Sequence, residues 1–285
     1  MQTRKIGDFA SSAIGLGEMP MSIEGRPDRE QAIRTIHAAL DAGVRHIDTA
    51  YAYRIAGESE AHGELLLGEA LRTWGGDRGT VLLATKAGHL RNTPGSVWQQ
   101  DGRPEHIKAV AKASAKNLGV EAVGLFYYHR PDPAVPFADS VGALAELLDE
   151  GVIVRAGVSN VNPAQIRQAQ ESLGGRLAAV QNQFSPAFRS SEPELELCTR
   201  LGIAFLPWSP LGGIGGAKAV GAKFAAFHDV AAAHGVSAQQ VVLAWELAKS
   251  ARVIPIPGAS RPESILDSIK AADLVLTPEE LSAVD

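Results

Sequence analysis

The chain has a single cysteine, Cys198, in 285 residues. No internal disulfide is possible, and no Cys/His cluster has the spacing of a metal site, so no metal is expected. Cys198 lies in the helical pattern ELELCTRLG and reads as a buried helix thiol rather than a nucleophile. The N-terminal MQTRKIGDFASS lacks the long apolar core of a signal peptide. No apolar run approaches the roughly 18 residues needed to cross a bilayer. Cytoplasmic residence and no membrane partner are the expectations. Lys/Arg runs are missing too, and the formal net charge is −5. That composition argues against a nucleic-acid partner. No long apolar stripe demands an assembly, so a monomer or weak homo-oligomer is expected.

What is present is an α/β rhythm. Hydrophobic residues make up 45% of the chain, enough for a large core. Short apolar runs occur at 13–17, 44–48, 80–86, 123–129, 152–160, 178–184, 202–210 and 252–259. Most are continuous rather than alternating, which suits parallel strands buried on both faces. Amphipathic segments such as RPEHIKAVAKASAKNLG and PFADSVGALAELLDEG lie between them and end in Gly. Pro163 and Pro193 fall where a first helical turn begins. Eight β–α repeats without a linker predict one domain over residues 1–285, a single (β/α)8 TIM barrel. TRKIG–DFASS predicts an N-terminal β-hairpin plugging its floor. SAQQVVLAWELAKS predicts an extra helix.

In such a barrel the active site lies at the C-terminal ends of the strands. Those ends carry Asp48 with Tyr53 on its loop, then Lys86, His129, Ser159-Asn160, Gln181-Asn182, Trp208-Ser209-Pro210 and Gly258 to Arg261. Taken singly, each has a structural explanation: a loop-capping Asp, a snorkelling Lys, a hydrogen-bonded His. Taken together, ionisable residues converge on one rim. Asp48 and Lys86 pair, because neither is cheaply desolvated alone. Lys86 beside Tyr53 favours the phenolate and lowers the phenol pKa, giving a proton donor usable near neutral pH.

The stretches IDTAYAY, ATK, YYHRPDP, GVSN, VQNQFSP, PWSPLG and IPIPGASRPE occur in the order and spacing of a known family. Over nearly its whole length the chain resembles the aldo-keto reductases. The resemblance implies a nicotinamide-dependent carbonyl reductase without a Rossmann domain; GLGEMP fails as a GxGxxG motif. It implies a tetrad of Asp48, Tyr53, Lys86 and His129, with Tyr53 protonating the carbonyl oxygen and His129 orienting it. It implies that Ser159, Asn160 and Gln181 hold the nicotinamide carboxamide and that Trp208 stacks on its ring. Ser209, Leu211 and Gly212 would meet the pyrophosphate. The segment Gly258 to Ser268, with Ser260, Arg261, Ser264 and Asp267, would meet the adenosine end.

Three departures shape the expectations. Arg54 stands where many members have Gly; it narrows the mouth and draws acidic substrates, or it points to solvent. Arg261 is placed to pair with a 2′-phosphate, but Ser264 replaces a frequent second base, so NADPH is expected and NADH less so. The chain stops soon after PEELSAVD, implying a more open site. The loop 88–104 is expected to shape the substrate site, with Trp98 as its wall or as loop packing. Met19, Met21 and Tyr51 are further substrate candidates. The Gly-rich 211–224 reads as a lid. The expected activity is reduction of a small-molecule aldehyde or ketone, including a specific pyridoxal-type substrate. The competing classes are an NADPH-binding sensing module with little turnover, and a barrel lyase using Lys86 as an amine.

Overall fold

A computed structural model describes residues 2–91, 98–213, 216 and 225–285. The expected lid at 211–224 and the centre of the 88–104 loop lie largely outside these residues. The chain opens with an antiparallel hairpin, β1 (Thr3–Ile6) and β2 (Phe9–Ser12). Gly7 turns it at φ 57°, a left-handed conformation that glycine adopts without a Cβ clash. Seven strands follow in one parallel sheet: β3 (Leu16–Gly17), β4 (His46–Asp48), β5 (Leu82–Ala87), β8 (Leu125–Tyr128), β9 (Ala156–Ser159), β10 (Leu177–Gln181) and β11 (Ala204–Phe205), in that spatial order. A small hairpin, β6 (His89–Leu90) with β7 (Gln99–Gln100), stands on the loop after β5.

The eighth apolar run, 252–259, is not a regular strand, contrary to the expected eight. It still closes the barrel, bridging Val253 to Phe205 and Gly258 to Gly17, both in parallel. Proline explains the irregularity. Ile254 and Ile256 donate to Phe205 and Pro207 on one side (2.9 and 3.3 Å). On the other side Pro255 and Pro257 only accept, from Gly15 and Gly17 (2.9 and 3.0 Å). A proline has no N–H to return. The result is a (β/α)8 barrel whose last seam is held by half a ladder.

Helices α1 (Arg29–Asp41), α2 (His62–Thr73), α3 (Pro104–Leu118), α4 (Phe137–Asp149), α5 (Pro163–Ser172) and α6 (Glu192–Leu201) are followed by α7 (Ala225–His234), α8 (Ala238–Lys249), α9 (Pro262–Ser268) and α10 (Pro278–Val284). Their ends follow the sequence signals. Asn162 and Gln165 form a capping box ahead of Pro163. Gly119 and Gly202 stop α3 and α6 in the left-handed conformation, at φ 69° and 74°. Cys198 is fully buried on α6, as the sequence predicts. No helix among the described residues is long and apolar enough to cross a membrane.

Two cores result. The outer one packs helix faces on the sheet, with Trp245, Phe126 and Ile36 fully buried. The inner one fills the barrel with Leu82, Leu125, Tyr127, Ala179, Leu206 and Ile254, and Ile6 of the hairpin joins it from below. The expected floor plug is therefore present. The fill is tight. A Cβ at Gly157 would lie 2.4 Å from the Tyr127 ring and 3.1 Å from the Ala179 carbonyl oxygen. Gly157→Ala is expected to lower stability by about 1–3 kcal/mol through overpacking. The check is the denaturant midpoint, and an unchanged midpoint would contradict a close-packed barrel interior.

Candidate active site

The strands deliver a buried ion pair to the rim. Asp48 ends β4 and Lys86 lies near the end of β5, 2% and 1% exposed. Lys86 Nζ donates to Asp48 Oδ1 and to the Thr49 carbonyl at 2.7 Å. Gln181, at the end of β10, donates from Nε2 to Asp48 Oδ2 at 2.8 Å. Both carboxylate oxygens are thus occupied, from two sides of the barrel. This is how a buried charge pair is held without leaving lone pairs empty. Burial still pushes the Lys86 pKa down, against the opposing pull of Asp48.

Two rings stand over the pair. Lys86 Nζ lies 5.2 Å from the Tyr53 ring centroid. His129, one residue beyond β8, meets Tyr53 edge-on at 5.9 Å and 79°. His129 is buried, and its Nδ1 has no partner among the described residues. Burial, then the charges of Lys86, His89 and Arg130, hold its pKa well below 6.5. The imidazole is neutral at pH 7.

Tyr53 differs from expectation. Its pKa lies well above 10, because burial dominates and the charges of Asp48 and Glu18 add to it. The cation lies in reach, as expected, but desolvation of a phenolate inside the barrel outweighs it. Tyr53 therefore stays protonated at neutral pH.

The site has a second tier on the β6–β7 hairpin. His89 meets His129 edge-on at 4.8 Å and stacks on Trp98 at 4.7 Å and 29°. The Arg91 guanidinium covers Trp98, 4.7 Å from its centroid. Trp98, His89, His129 and Tyr53 form one aromatic run into the barrel mouth. Burial lowers the His89 pKa to about 4, with Arg130 adding to the effect.

The next strand ends are tightly bonded. Ser159 Oγ donates to the Gln181 carbonyl at 2.6 Å. Asn160 Nδ2 donates to the His129 carbonyl at 2.9 Å, and its Oδ1 accepts from Arg130 at 3.0 Å. Asn160 and Ser209 have φ of 58° and 53°. Non-glycine residues in this region carry strain that functional sites commonly hold. A cleft of about 420 Å³ opens between Arg130, Asn160, Asn182, Phe188, Glu194 and Trp208. Trp208 Nε1 is buried and has no partner among the described residues. Another cavity, of about 210 Å³, lies near the strand starts at Val81 and Gly124, away from this chemistry. Among the described residues no group of three His, Cys, Asp or Glu side chains is arranged to hold a metal.

The Aldo/keto reductase family profile matches residues 13–285. The chain belongs to the aldo/keto reductase family. It is 33% identical to an aldo-keto reductase of Strobilurus tenacellus, over 100% of this chain and 91% of that one. It is 32% identical to an uncharacterized oxidoreductase of Schizosaccharomyces pombe, over 99% and 89%. Among solved structures it resembles a thermostable aldo-keto reductase in complex with the inhibitor epalrestat, with TM-score 0.85, 26% identity and coverage of 100% and 99%. A glycerol dehydrogenase from Gluconobacter oxydans matches with TM-score 0.83 at 26% identity, over 99% and 94%. The family is one of oxidoreductases, and the barrel is the fold these structures share.

In this aldo/keto reductase the other expected contacts divide. Gly258 is exposed beside Pro20, and Ser260 is half-buried with its carbonyl bound by Gln31 at 2.8 Å. Arg261 is exposed at the head of α9, and Ser264 lies one turn on. Met19 and Tyr51 are half-buried beside the ends of β3 and β4. Leu211 and Gly212 follow Ser209, Gly212 at φ 84°. Asp267 instead turns inward, accepting from Ser237 and Gln240 at 2.6 Å each, and so ties α9 to α8. Ser268 is buried, donating to the Ser264 carbonyl at 3.0 Å. Arg54 does not point to solvent. It is 6% exposed, its guanidinium 5.7 Å from the Tyr51 ring centroid, and its charge is felt at buried Glu64. Residues that the sequence reading passed over complete the site: Glu18, Thr49, Ser22, His62, His89 and Arg130. Glu18 carried a usable signal, an acid directly after the apolar strand end GLG.

Asp48→Asn removes the charge that holds Lys86 in the barrel. It is expected to lower stability by about 3–5 kcal/mol, the usual cost of breaking one side of a buried pair. Chemical denaturation of both proteins checks this, and equal midpoints would refute the structural weight given to the pair.

Proposed function

We propose that this protein, a single barrel domain over residues 1–285, reduces aldehydes or ketones to alcohols, with NADPH as cofactor and Tyr53 as proton donor. The supporting observation is the meeting of Tyr53 and His129 over the closed Asp48–Lys86 pair. When bound, the nicotinamide supplies the hydride. The chain's own residues do the rest. Negative charge gathers on a carbonyl oxygen as its carbon is reduced. Tyr53 and neutral His129 offer it two donors in a site where water is scarce. Tyr53, protonated throughout the physiological range, gives the proton. Lys86, fixed by Asp48 and Thr49, remains beside the resulting tyrosinate and limits its cost.

The residues present fit such a cofactor. Ser159, Asn160 and Gln181 gather hydroxyl and amide groups beside the pair, suited to a carboxamide. Trp208 offers an indole face and an Nε1 without a partner among the described residues. Ser209, Leu211 and Gly212 turn the backbone where a pyrophosphate would pass. Exposed Arg261 supplies a charge for a 2′-phosphate, which favours NADPH over NADH. Asp267 and Ser268, committed inside the protein, support the α9 segment rather than touch the cofactor. The run of Trp98, His89 and His129 supports planar aldehydes, including a pyridoxal type. The reverse reaction, alcohol oxidation, is the one named for the glycerol dehydrogenase neighbour. On this reading the protein works in the cytoplasm on a small carbonyl molecule, as a monomer or weak homo-oligomer.

The test is oxidation of NADPH and NADH with an aromatic aldehyde and with pyridoxal, followed by absorbance. Tyr53→Phe is expected to lose about 10²–10⁴-fold in kcat, the range for removing a general acid, while still binding NADPH. Arg261→Ala is expected to weaken NADPH binding and leave NADH unaffected. Wild-type protein that binds NADPH and turns over neither aldehyde would favour a sensing module instead.

A further inference from the structure

Glu18 is a second carboxylate in the barrel mouth, and the reaction as described gives it no role. It is fully buried in the turn after β3. Its backbone N–H donates to the Asp48 carbonyl at 2.8 Å, which fixes the turn against the end of β4. Its carboxyl meets hydroxyls and no cation. Thr49 Oγ1 donates to Oε2 at 2.8 Å, and Ser22 Oγ donates to Oε1. A charged carboxylate with this depth and these partners is poorly compensated. Burial raises the Glu18 pKa to about 8.

Two features point beyond packing. The first is an outlet. Ser22 Oγ also lies 2.9 Å from Nδ1 of His62, the first residue of α2, which is half-buried. Glu18 thus reaches the protein surface through one hydroxyl and one imidazole. The second is space. A Cβ at Gly63 would stand 2.5 Å from both Glu18 Oε2 and Thr49 Oγ1, and 3.1 Å from Ser22 Oγ. The missing side chain leaves room for the cluster. At the inner end, Thr49 ties the cluster to the ion pair, because its carbonyl holds Lys86 Nζ at 2.7 Å.

We propose that Glu18 is a positioning residue for proton delivery: an internal acid, open to solvent through Ser22 and His62, whose ionisation strengthens the hold of the barrel mouth on the Tyr53 proton. This rests on the reductase reading above. The groups around Glu18 are Ser22 on its own turn, Asp48 and Thr49 from the end of β4 and Lys86 from β5, with His62 of α2 behind Ser22; its charge acts on Tyr53 of the following loop. Arg26, Glu58 and Glu60 in turn face His62. Protonated Glu18 is neutral and leaves Lys86, 5.2 Å from the Tyr53 ring, and Asp48 as charges beside Tyr53. Its proton leaves along one line: Ser22 takes it at Oγ and passes its own to His62 Nδ1, which releases one to solvent. Ionised Glu18 then adds a negative charge beside Asp48. That charge raises the Tyr53 pKa and the Lys86 pKa together. The phenol is therefore held protonated as pH rises, which sustains reduction on the alkaline side and opposes alcohol oxidation.

The experiment pairs two readouts on wild type, Glu18→Gln and, as a milder variant that keeps the carboxyl, Ser22→Ala. Infrared difference spectra report the carbonyl band of a protonated carboxyl, assigned to Glu18 by its loss in Glu18→Gln. The band is expected to disappear near pH 8 in wild type and at higher pH in Ser22→Ala, which loses a donor to the charged form. Profiles of kcat for NADPH-dependent aldehyde reduction are expected to lose activity at lower pH in Glu18→Gln, by about one unit, the scale of one nearby charge. Ser22→Ala is expected to move the same way by less. A structural role alone would leave the alkaline limb in place. Superimposable profiles, or no titrating band, overturn the proposal. Wild-type protein that reduces no aldehyde overturns the reductase reading instead. Tyrosinate absorbance, read against Tyr53→Phe, then decides the proposal. Tyr53 ionising at lower pH in Glu18→Gln supports it, and no change overturns it.

Discussion

The Asp48–Lys86 ion pair is the constraint around which the barrel mouth is arranged. Two opposite charges taken out of water are tolerated only when the geometry is good and the spare donors and acceptors are filled. The fold meets both conditions with distant parts of the chain. Asp48 comes from β4, Lys86 from the neighbouring β5, and Gln181 from β10 across the barrel. Gln181 reaches Asp48 because the sheet closes. Closure in turn depends on an irregular eighth segment whose prolines accept from β3 and cannot donate back.

Four other titratable groups in the mouth, His129, His89, Tyr53 and Glu18, adjust to that pair by being neutral, while Arg130 stays charged at its edge. Burial holds His129 and His89 unprotonated and keeps Tyr53 and Glu18 protonated at pH 7. The common effect is a site with one fixed dipole and several neutral donors. That is a preorganised environment for an oxygen that becomes negative during reaction. Strained Asn160 and Ser209 show that the backbone at the strand ends is bent to hold this arrangement.

Much of this was legible in the residues. The period of apolar runs indicates the barrel, the Gly-Asp turn indicates the hairpin, and the strand-end rule picks out Asp48, Lys86 and His129. What was hidden is what needs depth or distance. The bond from Gln181 to Asp48 spans 133 positions, so no local pattern announces it. The direction of the Tyr53 shift depends on how dry the phenol is, and the strand-end argument overstates the pull of Lys86. The sequence leaves Arg54 either at the mouth or in solvent; burial of its guanidinium over Tyr51 removes the solvent alternative. Asp267 sits in the expected segment but faces α8, since helical phase near a short helix is set by its packing partner. Glu18 was in plain view after GLG and was read as part of a failed glycine motif.

The most direct test of the account is the fate of hydrogen at the substrate carbon. A nicotinamide cofactor deuterated at its reactive carbon is mixed with enzyme and an aldehyde, and the alcohol is examined by mass spectrometry. The account predicts one deuterium on the alcohol carbon and a solvent-exchangeable proton on its oxygen. Alcohol formed without deuterium on carbon would contradict it.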